Sequence, residues 1–265
     1  MSMLKRNIAP MPSKVWDEID ERAKTVLTNI LSARKVVHVE GPMGWDYAVV
    51  PEGRLDIIDK NEDSDVSVGT YRVKPLLEAR ISFELDRWEL DNITRGAKDI
   101  DLEALEEATK KLALFEENLI YNGYEKADIK GLKEVAAHNL DFGKDAVSIL
   151  SAISEARFLL MESYVEKPYS LVVGREAYKL LNTVHEGYPL IKAVSSIIDG
   201  KVILSEAVEG AFLMPYDHED IELTIGQDFS IGYENHDDKK IKLFITESLT
   251  FRVLDEKLIV KFNIS

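Results

Sequence analysis

The stretch of sequence that decides the fold lies near the C-terminal end: Gly226-Gln227-Asp228-Phe229-Ser230-Ile231-Gly232-Tyr233-Glu234. Two further segments are equally distinctive, and they are Gly41-Pro42-Met43-Gly44-Trp45-Asp46 and Phe83-Glu84-Leu85-Asp86-Arg87-Trp88-Glu89-Leu90-Asp91-Asn92. None of the three contains a phosphate-binding loop, a nucleophile elbow or a metal-binding helix motif. The most distinctive parts of the sequence therefore point away from catalysis.

Composition limits the classes of protein to which the chain can belong. Its 265 residues suffice for one large domain or two small ones, and 45% apolar with 31% charged residues is typical of soluble globular proteins. The formal net charge of −15 works against binding to nucleic acid or to an anionic membrane. The absence of cysteine excludes disulfides and a cysteine nucleophile. Because a run of about 18 apolar residues and a signal-peptide core are both missing, we expect a cytoplasmic protein.

Known catalytic and metal-binding motifs are missing from the sequence. It contains no Gly-x-Gly-x-x-Gly, no Walker-type loop and no His-Glu-x-x-His. The five histidines, at positions 38, 138, 185, 218 and 236, show no metal-ligand spacing on a single element, so surface or packing roles are expected. The sequence thus assigns no catalytic residue and no metal ligand. An enzyme with a dispersed site stays open as an alternative.

The first part of the chain predicts an arm, a helix and a strand. Pro10 and Pro12 favour an extended arm over residues 1–12 that needs a partner surface. Ser13 is a candidate N-cap for a helix that ends near Ser32. The apolar stripe of this helix consists of Val15, Ile19, Ala23, Val26, Leu27 and Ile30. Such a stripe fits either the core of the domain or an open groove for an apolar peptide.

The middle of the chain predicts a hairpin, a long helix and a separate α/β unit. Two β-rich runs around the acidic turn 59–65 predict a long hairpin within 49–78, which needs a neighbouring surface. The clearest helix spans about 101–122, and no Glu-x-x-His of the ferritin-like kind accompanies its acidic residues. We therefore predict a solvated acidic face, formed by Glu103, Glu106, Glu107, Glu116 and Glu117. Residues 134–217 predict the α/β unit, and alternating β runs follow it.

Taken with Leu4-Lys5-Arg6-Asn7-Ile8-Ala9-Pro10 and Ile245-Thr246-Glu247-Ser248-Leu249-Thr250-Phe251, the three segments quoted above resemble the encapsulins, shell proteins of bacterial and archaeal nanocompartments. The resemblance runs in order along nearly the whole chain. It implies an α+β fold like the HK97 phage capsid subunit, and a container instead of an enzyme. The implied parts are a peripheral domain at 1–48, 79–133 and 218–265, an extended loop at 49–78, and an axial domain at 134–217.

The function implied by the resemblance is to enclose a cargo enzyme whose C-terminal tail docks on the inner wall of the shell. The usual family cargoes are ferritin-like iron oxidases and dye-decolorising peroxidases, and an icosahedral shell takes about sixty copies or a multiple. The positions that match the docking site are Ile30, Leu31, Arg34, His38 and Ile231. His38 departs from the family pattern, which has an acidic residue there. A phage major capsid protein of the same fold is the alternative.

The resemblance also assigns roles to two other places. The loop His185-Glu186-Gly187-Tyr188 matches the tip of the axial domain, where it would line a fivefold pore, and an ordinary surface loop is the alternative. Trp88 would stack a flavin whose phosphate meets Arg80, and the alternative is a tryptophan that only packs at a subunit contact. The shell itself requires no cofactor.

Overall fold

The computed structural model describes residues 3–59 and 66–264, so positions 60–65 of the acidic turn and the first two residues of the arm lie outside the described residues. The helices are α1 (Ser13–Ile30), α2 (Arg87–Arg95), α3 (Glu103–Asn122), α4 (Leu132–Val135), α5 (Ala146–Glu162), α6 (Arg175–Leu181) and α7 (Leu190–Ile198). The strands are β1 (His38–Glu40), β2 (Val49–Asp59), β3 (Val68–Pro75), β4 (Leu77–Asp86), β5 (His138–Asp141), β6 (Tyr169–Val173), β7 (Val184–His185), β8 (Tyr188–Pro189), β9 (Val202–Leu204), β10 (Ala211–Pro215), β11 (Ile221–Ile225), β12 (Ser230–His236), β13 (Lys240–Val253) and β14 (Val260–Asn263). No helix in these ranges combines the length and apolarity that a membrane span requires.

The first sheet has five strands and is organised by the long strand β13. One edge of β13 pairs antiparallel with β4, and the other edge pairs antiparallel with β12 and then with β11. The short strand β1 is parallel to β11 and completes the sheet. Helices α1, α2 and α3 pack against it, and their apolar residues share one core with residues such as Leu243 of β13. The predicted long helix is therefore confirmed as α3, the helix that supports this sheet.

The second sheet has the strand order β5-β14-β10-β6-β9 and carries its own core. Strand β6 is buried at every position. Helices α5 and α7 pack against the sheet and against each other. The segment 218–265 is divided between the two sheets, because β14 lies between β5 and β10 in the second one. The fully buried Phe262 of β14 packs edge-to-face on Phe142 with a centroid distance of 5.6 Å, which fixes this apolar end of the chain in the α/β unit.

The predicted hairpin is present as β2 and β3, which pair antiparallel with each other alone among the described residues. Leu55 lies opposite Tyr71, and a cross-strand ion pair joins Arg72 to Asp56. The hairpin is too thin to bury its own side chains, so Tyr71 is 77% exposed and Ile58 is 68% exposed. An isolated two-stranded ribbon with exposed apolar residues is typical of an element that another surface covers.

The N-terminal arm and the start of α1 differ from the prediction. The arm is not extended throughout, because Arg6–Ile8 form a turn of 3₁₀ helix. Its partner surface is the same chain: the N–H of Tyr233 donates to the Leu4 carbonyl at 2.8 Å. Ser13 is the first helical residue of α1, since Pro12 occupies the cap position and makes no side-chain cap bond. The helix ends at Ile30, slightly before the predicted end.

The segment around Trp88 is helical and forms α2. Asp86 ends β4 and caps α2, because its carboxylate accepts hydrogen bonds from the N–H groups of Trp88 at 2.8 Å and of Glu89 at 3.2 Å. Leu90 and Ile93 are the buried residues of this helix. Trp88 points away from them and is 67% exposed.

Candidate functional site

A groove of about 650 Å³ runs between α1 and the start of β12. Its apolar lining comprises Leu4, Ala23, Leu27, Leu31, Phe229, Ile231 and Ile245, and its charged lining comprises Arg6, Asp20, Lys24, Arg34, Lys35 and Asp228. The groove therefore combines an apolar floor with a charged rim. This composition suits an amphipathic segment of another chain.

Helix α1 makes the groove because its apolar stripe serves two purposes. Val15 and Ile19, in the first half of the helix, are buried in the core beneath the first sheet. Leu27, in the second half, is only partly buried and faces the groove. The first half of the stripe thus belongs to the core, and the second half lines the groove.

The N-terminal arm forms one wall of the groove, which the sequence did not indicate. The Arg6 Nε donates to the Ile231 carbonyl at 2.7 Å, and the Arg6 guanidinium pairs with Asp20 at 2.7 Å. The same guanidinium lies 4.4 Å from the centre of the Trp16 ring. These contacts attach the arm to both β12 and α1, so the wall is held from two sides.

Arg34 closes the other end of the groove. Its guanidinium pairs with Glu116 at 2.6 Å and with Asp228 at 2.8 Å, and it lies 4.9 Å from the centre of the Phe229 ring. Burial of Arg34 disfavours its charge, but the hydrogen bond and the attraction from Glu116, helped by Asp228, outweigh burial and raise the pKa of Arg34. Arg34 is consequently a fixed cation at the boundary between the groove and the protein interior.

Two buried carboxyl groups share this one arginine. Glu116 of α3 and Glu247 of β13 are both 0% exposed, and Glu247 lies 3.6 Å from the Arg34 guanidinium. Among the described residues, no N–H or O–H group donates a hydrogen bond to either carboxyl oxygen of Glu247. Burial first, and then the nearby Glu116, raise the pKa of Glu247 well above its ordinary value. A protonated Glu247 that donates to Glu116 resolves both facts, since one cation cannot neutralise two buried carboxylates.

Glu117, the neighbour of Glu116 on α3, holds the turn that carries Arg34. Its carboxylate accepts hydrogen bonds from the N–H of Ser32 at 2.9 Å and of Ala33 at 2.8 Å. It also accepts from the Ser32 hydroxyl and, at 3.1 Å, from the Ser205 hydroxyl. Burial raises the pKa of Glu117 while these hydrogen bonds oppose the increase. Glu117 thereby fixes the end of α1 onto α3.

The prediction of a solvated acidic face was wrong for Glu116 and Glu117. Glu103 and Glu107 are exposed, and Glu106 pairs with Arg22 at the surface, but Glu117 is 1% exposed. The helical register contained the signal, because position 116 lies four residues after the buried Leu112 and therefore on the same face. Charge type alone suggested solvent, whereas the partners that make burial tolerable come from the turn 32–34 after α1, from Ser205 after β9 and from Glu247 of β13.

The structure brings together three of the five predicted docking residues. Leu31, Arg34 and Ile231 line the groove, although Ile231 is only 4% exposed and belongs mainly to the core. Ile30 lies at the end of α1 without lining the groove. His38 lies on the edge strand β1 and also outside the groove lining.

His38 instead forms a small acidic cluster at the sheet edge. Its Nδ1 is 2.8 Å from Asp217 and its Nε2 is 3.1 Å from Glu40. The hydrogen bond with Asp217, and then that with Glu40, raise the pKa of His38. An imidazole engaged on both nitrogens by its own chain has no free nitrogen for a docked segment.

The predicted pore loop is a tight β-hairpin formed by β7 and β8. His185 pairs with Tyr188 across it, and the two turn residues Glu186 and Gly187 have φ values of 49° and 80°. Positive φ at both central residues is the type I′ geometry, which accounts for glycine at position 187. Tyr188 is 54% exposed, so the hairpin projects from the α/β unit.

Trp88 and Arg80, the residues expected for a flavin, lie on different elements of the subunit, α2 and β4. Arg80 lies on β4 with its guanidinium paired to Glu78 at 2.8 Å and 4.4 Å from the centre of the Phe244 ring. The extended strand from position 80 to position 86 separates it from α2 by roughly 20 Å. The exposed face of Trp88 is accompanied by Arg95, at 5.6 Å from its ring centre. A metal centre is not evident either, since the described ranges contain no group of three or more histidine and acidic side chains placed to hold an ion.

Comparisons with known proteins give a consistent result. A family model described as "Encapsulating protein for peroxidase" matches residues 1–250. A type 1 encapsulin shell protein of Rhodospirillum rubrum is 38% identical over 262 residues, with 96% of this chain and 94% of the relative covered. A type 1 encapsulin shell protein of Mycobacterium tuberculosis is 35% identical over 254 residues, with 95% of each chain covered.

Solved structures show the same fold. A virus-like particle from Pyrococcus furiosus superposes with a TM-score of 0.67 at 16% identity, covering 95% of this chain and 98% of that one. The Gordonia phage Cozz chain gives a TM-score of 0.59 at 14% identity, covering 89% and 87%. The groove and the hairpin therefore lie on a capsid-like scaffold.

Proposed function

Because the chain belongs to the encapsulin family of shell proteins, we propose that its groove receives the C-terminal tail of an enclosed cargo enzyme. The family and these relatives are structural shell proteins with a capsid fold, and self-assembly into a shell is the function that membership carries. The observation that supports tail docking is the open half of α1, where Leu27 faces the groove instead of the core.

The shape of the groove indicates what kind of segment it binds. A volume of about 650 Å³ accommodates a few side chains of a peptide and excludes a folded domain. Its apolar floor provides affinity by removing aliphatic side chains from water, at roughly 25 cal/mol per Å² of buried area. The fixed charge of Arg34 at one end helps to set the direction of the tail.

We propose the class of the cargo enzyme from the family to which the chain belongs. Ferritin-like iron oxidases and dye-decolorising peroxidases are the two classes, and the description of the matching family model, with its reference to peroxidase, favours the second. In this proposal the projecting hairpin of β7 and β8 lines a fivefold pore that admits small substrates. Five copies of Glu186 would then make the opening acidic and favour cations.

The tail-docking proposal is tested with Leu27→Glu, because this residue lines the groove without belonging to the buried core. A reporter protein that ends in the cargo tail is co-expressed with the shell, and its amount in purified particles is measured. A carboxylate facing the apolar floor costs roughly 1–3 kcal/mol, so we expect reporter loading to fall about tenfold. Ile231→Asp is unsuitable, since a charge at a core position would damage the sheet.

The matched control is Thr25→Glu, which adds the same charge to an exposed position of α1 outside the groove lining. Particles of both variants are examined by negative-stain microscopy to establish that assembly is intact. Loading that is equally high in Leu27→Glu, Thr25→Glu and wild type would contradict the placement of the docking site.

A further inference from the structure

The charged rim of the groove has the opposite sign from the chain as a whole. The full sequence has 48 acidic and 33 basic residues, whereas the groove lining has four basic side chains and two acidic ones. A locally cationic surface on an acidic protein attracts groups of the opposite charge within about 10 Å, the range over which salt leaves such a field effective. The charge of the rim therefore carries information about the segment that binds there.

Both acidic residues of the lining are already paired with arginine. The Arg6 guanidinium donates two hydrogen bonds of 2.7 Å to the two carboxylate oxygens of Asp20. The Arg34 guanidinium donates to Asp228 at 2.8 Å and to the buried Glu116 at 2.6 Å. These side chains neutralise one another, so a docked segment meets the two arginines as members of ion pairs.

Lys24 and Lys35 are the basic side chains of the lining that have no acidic partner within 4.0 Å in the part of the chain that the structure describes. Both are exposed, and the Lys35 ammonium donates to the carbonyl of Thr28 at 3.0 Å. Because residues 24 and 28 are neighbours on the surface of α1 at a spacing of four, the Lys35 ammonium lies about one helical turn from the base of the Lys24 side chain. An ammonium has three N–H donors, so both lysines can still donate to a carboxylate. They form a cationic edge beside the partly buried Leu27, which lines the groove.

We infer that Lys24 and Lys35 select a tail in which acidic side chains accompany the aliphatic ones. The inference rests on the proposed function, because it takes the groove as the docking site of a cargo tail. The aliphatic side chains then pack against Leu27, and the carboxylates accept hydrogen bonds from the two ammonium groups. A basic tail would meet these lysines as like charges and would find Asp20 and Asp228 already engaged by arginine. Exposed ion pairs are individually weak, so the selection depends on both lysines acting together.

Two differently coloured reporter proteins, co-expressed with the shell, test the inference as a competition inside one cell. Their tails share one core of leucine, isoleucine and serine and differ at two flanking positions, which are Glu in one reporter and Lys in the other. The ratio of the two reporters is measured in purified particles and divided by their ratio in the lysate. We expect this enrichment to favour the Glu tail about tenfold in the wild type and to invert in Lys24→Glu/Lys35→Glu, since two attractive contacts become two repulsive ones. A tail with Gln at both positions should load to an intermediate extent.

The matched control is Lys14→Glu/Lys98→Glu, which changes the net charge of the chain by the same amount at two exposed positions outside the groove lining. It should keep the wild-type enrichment, and negative-stain microscopy establishes that particles of every variant are intact. An enrichment near one in the wild type, a preference for the Lys tail, or an equal shift in both double variants would overturn the inference. Loading of the Gln tail that is lost in Leu27→Glu would leave the groove as the docking site in that case. If no tail, the Gln tail included, loads above a reporter without a tail, the proposed function fails instead.

Discussion

Glu247 is the residue whose replacement tests the description of the buried site most sharply. It lies on β13 with 0% exposure, beside Arg34 at 3.6 Å, while Arg34 is engaged more closely by Glu116 at 2.6 Å. Because burial and Glu116 raise its pKa, we expect Glu247 to be a neutral acid. In Glu247→Gln, the amide keeps the size of the acid and supplies an N–H donor to Glu116, but it cannot ionise.

The expected effect depends on pH with a defined sign. Burial and Glu116 raise the pKa of Glu247 in the folded state above its value in the unfolded chain. The stability that depends on the proton is complete below the unfolded pKa of about 4.3 and is lost as pH rises through the folded pKa. Ionisation would place an unpaired charge in the interior at a cost of about 3–5 kcal/mol. Beyond the folded pKa the wild type should lose about 1.4 kcal/mol per pH unit relative to the variant, up to that limit.

The assay is the apparent melting temperature of assembled particles at pH 5, 7 and 9, with protein concentration and salt held constant because assembly contributes to stability. We expect Glu247→Gln to match wild type at pH 5 and to exceed it increasingly toward pH 9. Glu103→Gln is the control, since Glu103 is exposed on α3 and its replacement should give the same small difference at every pH. A difference between Glu247→Gln and wild type that does not change with pH, or that reverses in sign, would refute the neutral-acid description.

Three other outcomes are expected. Glu117→Ala removes the acceptor of two backbone N–H groups and two hydroxyls, so it should cost about 3–5 kcal/mol and lower the apparent melting temperature by roughly 10 °C, whereas Glu107→Ala on the exposed face of α3 should change it little. If Glu186 lines a pore, initial iron uptake by particles loaded with an iron-oxidising cargo should decrease from wild type to Glu186→Gln to Glu186→Lys at low salt and converge at high salt; equal rates at low salt would remove Glu186 from this role. If Trp88 stacks a flavin, yellow particles that lose their visible absorbance in Trp88→Ala are expected, and colourless particles from cells grown with riboflavin would leave Trp88 as a contact residue.

The local pattern of apolar residues was enough to predict those helices and strands that depend mainly on residues close in sequence. The long apolar periodicity gave α3 nearly its full length, and the two β-rich runs gave the hairpin of β2 and β3. In each case the residues that determine the element are close in sequence.

Sequence also determined the family, because the diagnostic segments occur in order and do not depend on knowing which of them meet in space. It could not determine the protonation of Glu247 or the burial of Glu116, since each depends on an arginine more than eighty residues away along the chain. Charged side chains are expected in solvent when only their type is known, and the cost of burying them is decided by partners that folding brings together.

The groove likewise combines features that the sequence predicted with features that only the folded structure decided. The apolar stripe of α1 was evident from spacing, and Leu31, Arg34 and Ile231 were placed together by the resemblance. Only the tertiary structure decided that the first half of the helix is buried while Leu27 faces a groove, that the arm forms a wall, and that His38 turns to Asp217 and Glu40 instead. Spacing fixes which face of a helix is apolar, whereas the amount of that face removed from water depends on where other elements end.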